Sequence, residues 1–101
     1  MKKYIVIYHA PASAGKKMEK MTPEQTKEGM EPWINWAERI GSGLVDLGTP
    51  LGGGLKISKT ESKPSKRNVV GYSILLAENM AKGKAMLKKH PHLEWAAGCE
   101  I

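Results

Sequence analysis

Lys3-Tyr4-Ile5-Val6-Ile7-Tyr8-His9 and Val69-Val70-Gly71-Tyr72-Ser73-Ile74-Leu75-Leu76 decide the fold of this chain. Successive side chains of a strand leave opposite sides of the sheet, so a strand with one wet face alternates apolar with polar. In the first stretch Tyr4, Val6 and Tyr8 point one way, and Ile5 and Ile7 the other. In the second, Val70, Tyr72, Ile74 and Leu76 oppose Val69 and Leu75, with the small Gly71 and Ser73 between those two. Both faces ask for cover, yet a chain of 101 residues has helices enough for only one. A second copy is the simplest cover for the other.

Between the two strands, Thr22-Pro23-Glu24-Gln25 predicts a helix start. Thr22 accepts an orphan N–H, Pro23 suits the first helical position, and Gln25 completes a capping box. Met30, Trp33, Ile34, Ala37 and Ile40 follow as an apolar stripe at helical spacing. Pro32 lies inside it and predicts a kink or break between Gly29 and Pro32. Gly41 ends the helix. Leu44 to Leu47 reads as a second strand and Leu55 to Ile57 as a brief extra one. The glycine-rich Gly48 to Gly54 reads as a turn, and Ser58 to Asn68, with no apolar residue, as an exposed loop. Asn79 caps a second helix through Lys88 or Lys89, Pro91 ends it, and Ala97 to Ile101 reads as a short last strand.

The expected order is strand, helix, strand, strand, helix, strand over a single domain, residues 1–101. That is an α+β, ferredoxin-like βαββαβ arrangement, an antiparallel sheet with two helices on one face. Sheet-to-sheet pairing of two copies then hides the second face.

Sixteen basic and ten acidic residues leave a net charge of +6. Lys56, Lys59, Lys63, Lys66 and Arg67 fall in one loop, Lys16, Lys17 and Lys20 in another, and Lys82, Lys84, Lys88 and Lys89 on the second helix. No aromatic is interleaved with the loop lysines, and arginine occurs only as Arg39 and Arg67, so the charge reads as solvated surface and not as a nucleic-acid footprint. The apolar run Tyr4 to Tyr8 is too short for a secretory signal or a membrane span. The single Cys99 excludes an internal disulfide, and a reducing, cytoplasmic setting is expected.

Four segments carry a family likeness: Tyr4-Ile5-Val6-Ile7-Tyr8-His9-Ala10-Pro11, Leu44-Val45-Asp46-Leu47-Gly48-Thr49-Pro50-Leu51-Gly52, Gly71-Tyr72-Ser73-Ile74-Leu75 and Lys89-His90-Pro91-His92-Leu93. Together they resemble the YCII-related family of small bacterial proteins, in particular a branch with the His-Pro-His-Leu element. The resemblance spans nearly the whole chain and implies a dimeric α/β barrel. Its founding group is thought to use a His and Asp pair in a cleft. Here the first helix carries no histidine at the corresponding place, its nearest candidates being Glu31 and Trp33. His90 stands where such proteins have an acidic residue before proline. The dyad therefore does not transfer residue by residue.

Candidate chemistry gathers at one end of the sheet. His9 closes the first strand, Asp46 lies on the second, and His90 and His92 follow the second helix. A carboxylate beside an imidazole fixes its tautomer and raises its basicity, so His9, Asp46 and His90 are the candidate catalytic residues. Trp33, His92 and Tyr72 are the candidate ligand-binding residues. The blander reading makes Asp46 a turn cap and His90 a helix terminator, with Trp33 and Trp36 in the core. A metal centre needs three or four converging ligands, and neither a metal nor another cofactor is expected. The expected function is that of a small enzyme or small-molecule-binding homodimer, the alternative a non-catalytic structural or protein-interaction module.

Overall fold

Tyr4, Val6 and Tyr8 of β1 (Lys2–His9) lie opposite Leu75, Ser73 and Gly71 of β5 (Val69–Ala77) in an antiparallel ladder, and this pairing is the spine of the molecule. The computed structural model describes residues 1–14, 20–65 and 68–101. Lys16, Lys17, Lys66 and Arg67, counted above among the surface charge, lie outside them. Between β1 and β5 run α1 (Pro23–Ile40), β2 (Leu44–Asp46), β3 (Leu55–Ile57) and β4 (Ser62–Pro64); α2 (Met80–Met86) and α3 (Pro91–Trp95) follow. The main sheet has the order β1-β5-β2, all antiparallel. Near the chain end Glu100 pairs with His9 through two backbone bonds of 2.8 and 2.9 Å, on the edge of β1 away from β5. The architecture is α+β and compatible with a ferredoxin-like order.

The covered face follows from the alternation. Val6, Tyr8, Ser73 and Leu75 are buried, and Trp33, Trp36 and Ile40 of α1, with Met86 and Leu87 from the end of α2, pack over them. On the other face Ile5 is 66% exposed, and Ile7, Val45 and Val70 are also exposed. A second, smaller cluster joins Ala10 and Ala14 to Cys99 beside Trp95.

α1 starts as its sequence dictates: Gln25 N–H donates to Thr22 Oγ1 at 3.1 Å, and Thr22 N–H to Gln25 Oε1 at 2.9 Å. The break expected at Pro32 does not occur, for the helix runs unbroken from Pro23 to Ile40. Glu28 and Pro32 are both exposed, so water can take the bond that the proline forfeits, while Trp33, Trp36 and Ile40 just beyond it anchor the C-terminal half of the helix to the sheet. α2 ends at Met86, short of Lys88. Lys89 then takes a positive φ of 58°, turning the chain so that His90 enters the core. The expected last strand is reduced to the single bridge at Glu100.

The stretch from Ser58 to Asn68, read above as loop, contains β4, which pairs with β3 in a separate hairpin. Its strands pair through backbone, and at the turn Ser58 Oγ donates to the Glu61 carbonyl at 3.3 Å. Lys56 stands opposite Lys63, and Leu55 and Ile57 are 60% and 75% exposed.

Gly48 marks where β2 leaves its ladder. Its φ is +83°, and a Cβ there would collide with the Tyr72 carbonyl oxygen. Gly48→Ala is expected to push β2 off β5 and to lower stability by about 3 kcal/mol, read from the urea midpoint. A midpoint equal to that of the parent would contradict the close approach.

Candidate functional site

Ser73 is a polar residue in an otherwise apolar buried strand, fully excluded from solvent, and such a hydroxyl requires partners. It donates to the Leu47 carbonyl at 2.6 Å, which leaves its oxygen free to accept. Tyr8 O–H, 2.7 Å away, therefore donates to Ser73. The Tyr8 oxygen in turn lies 3.2 Å from His90 Nε2. His90 Nδ1 accepts from the His92 backbone N–H at 3.0 Å, so the ring proton sits on Nε2 and donates to Tyr8. One tautomer thus satisfies a directional relay: His92 N–H to His90, His90 to Tyr8, Tyr8 to Ser73, Ser73 to the Leu47 carbonyl. His92 Nε2 donates separately to the His9 carbonyl at 2.8 Å.

Local structure delivers each member. Tyr8 and Ser73 share the covered sheet face. His90 caps α3 through its own Nδ1, with Pro91 in the first turn of that helix. Around the rings, Trp33 stands edge-on to Tyr8 at 5.1 Å and to His90 at 4.7 Å. Trp36 lies 4.3 Å from His90, and its indole N–H is fixed on the Met86 carbonyl at 2.9 Å.

Burial sets the electrostatics. His90 is pushed down to about 4, first by burial and then by the positive fields of His92 and Arg39, while burial raises the Tyr8 phenol. At neutral pH both are uncharged. A proton arriving on His90 would land on Nδ1, against the His92 N–H, so the ring is closed to general-base work. The unfolded chain protonates this histidine near 6.5 and the folded one near 4. Its contribution is therefore complete above pH 6.5 and falls as the pH drops toward 4, by about 3 kcal/mol. Urea midpoints at pH 7 and pH 4.5 should show that loss in the parent and a smaller one in His90→Phe; equal pH dependence in both would contradict it.

The structure brings His90 and His92 together with Trp33, all around Tyr8. His9 contributes its backbone carbonyl to that group. Asp46 does not join it: the carboxylate is exposed and accepts from Gly48 N–H at 2.8 Å, a turn cap. Tyr72 lies on the opposite, uncovered face, with its ring beside Gly48. Sequence reasoning missed Tyr8 and Trp36 as partners of His90, and Ser73 as the partner of Tyr8. The serine inside a buried strand was the one available signal. Among the described residues no three of His, Cys, Asp and Glu converge to hold a metal ion.

Beyond Trp36 an open groove of about 290 Å³ crosses α1 and α3, its floor and rims supplied by Pro32, Asn35, Trp36, Arg39, Lys89 and Glu94, with Pro91 closing one side. Arg39 is held there by a 3.0 Å bond from its guanidinium to the Lys88 carbonyl. Neither Arg39 nor Lys89 meets a carboxylate within ion-pair distance among the described residues. No helix of the described residues is long and apolar enough to cross a membrane. Comparison with known proteins finds no matching family model, no similar curated protein and no similar solved structure.

Proposed function

We propose that this chain is the protomer of a homodimeric, small-molecule-binding α/β barrel of the YCII-related, ferredoxin-like kind, working without the His and Asp chemistry of that family's founding group. The observation that carries the reading is a division of labour around Trp36. On its inner side every nitrogen of His90 is committed to the core. On its outer side two cations border a groove and meet no carboxylate among the described residues. Polar groups that serve only the core end in mutual hydrogen bonds, whereas groups that serve a ligand stay available in a concavity. The uncovered sheet face, with Ile5, Ile7, Val45 and Val70, supports the dimer.

Thermal shift of the purified protein against a panel of small carboxylates, amines and neutral polar compounds tests the binding. A ligand that binds the folded state raises Tm with concentration. A rise with at least one class is expected; a flat response across the panel would sink the reading. A second reading, a non-catalytic interaction module, is favoured by the β3–β4 hairpin, whose Leu55 and Ile57 project into solvent.

A further inference from the structure

The groove across α1 and α3 has three separate chemical zones. Arg39 and Lys89 make one end cationic, Glu94 makes another rim anionic, and Pro32 and Pro91 supply rigid apolar walls above the buried Trp36. The walls are pre-set. Both are proline rings, and the Trp36 indole beneath them is clamped through its N–H to the Met86 carbonyl. The guanidinium is likewise clamped, one nitrogen on the Lys88 carbonyl, leaving its other donors to a ligand. Groups already ordered in the free protein cost little to order on binding. The volume, about 290 Å³, sits at the small end of ligand sites.

A second observation points to the same place. Lys89 holds a φ of 58°, a conformation that L side chains adopt at a cost and glycine adopts freely. Nothing in the turn after α2 requires a side chain there, because the lysine is exposed and makes no ion pair among the described residues. A strained residue whose side chain does nothing for the fold, but which borders a groove, points to a role in that groove.

We propose that this groove binds a small molecule with a carboxylate at one end, a flat apolar body, and an amine or hydroxyl donor at the other. The carboxylate takes Arg39 and Lys89, the body lies between the proline rings, and the donor meets Glu94 or Asn35. The proposal rests on the small-molecule-binding reading above and adds the place and the ligand class.

The test is titration of the isotope-labelled full chain with 4-aminobenzoate, followed by backbone and indole resonances, with the neutral 4-aminobenzamide in parallel. Shifts should concentrate at Asn35, Trp36, Arg39, Lys89 and Glu94. The amide should bind at least about tenfold more weakly, and Arg39→Ala should lose at least about tenfold in affinity. Lys89→Gly separates binding from folding, since it should weaken 4-aminobenzoate severalfold while melting at or above the parent temperature. Equal binding of acid and amide, unchanged affinity in both variants, or shifts centred elsewhere overturns the groove and its ligand class, while leaving small-molecule binding in place. Silence from this pair together with a flat thermal-shift panel overturns both.

Discussion

His90→Ala is expected to lower the unfolding free energy by about 3–5 kcal/mol, enough to leave a domain of ordinary stability marginal or largely unfolded. Two costs add. The ring is completely buried between Tyr8, Trp33 and Trp36, so its removal opens a cavity that Tyr8 and Trp36 cannot close without leaving their own hydrogen bonds. The His92 backbone N–H also loses its acceptor, and a buried orphan donor costs about 1–3 kcal/mol. Urea denaturation followed by tryptophan fluorescence reads the loss directly. His90→Phe separates the two effects, because it keeps most of the ring volume and removes both hydrogen bonds; about 2 kcal/mol of destabilisation is expected from it. If His90→Phe were as stable as the parent, the relay to Tyr8 and Ser73 would not be what ties α3 to the sheet.

Ile5→Lys should have the second largest effect, on assembly and not on the fold of one chain. Ile5 pairs with Ile74 on the uncovered face and is 66% exposed. At a truly solvent-exposed position such a change shifts stability by no more than about 0.5 kcal/mol. In a two-fold interface the same lysine appears twice, desolvated near its own copy, and each unpaired charge costs several kcal/mol. Light scattering on a gel-filtration column should show the variant as a folded single chain under conditions where the parent is paired. Identical masses for the two proteins would remove Ile5 from any interface.

The strand faces were legible because alternation is a local property. Tyr4, Val6 and Tyr8 turn inward and Ile5 and Ile7 outward, as their spacing requires. The α1 start was legible for the same reason, since Thr22 and Gln25 satisfy each other within one turn. The β3–β4 hairpin was not, because Ser62-Lys63-Pro64 has no apolar pattern and pairs through its backbone. Pro32 misled because propensity ignores the tertiary anchoring of the residues that follow it, Trp33, Trp36 and Ile40. The polar centre was only half legible. His90 and His92 stood out as chemistry, but the relay joins Tyr8 to Ser73 and to His90 across 65 and 82 residues, a relation that spacing along the chain does not carry. Asp46 stood out too, and a backbone N–H two residues away claimed it first.

The open side of the β1-β5-β2 sheet is the central claim, and sedimentation equilibrium of the unmodified protein at micromolar concentration tests it most directly. The account predicts a folded species of about twice the 11.1 kDa chain mass. A well-folded species of 11.1 kDa, with no concentration dependence, would contradict it.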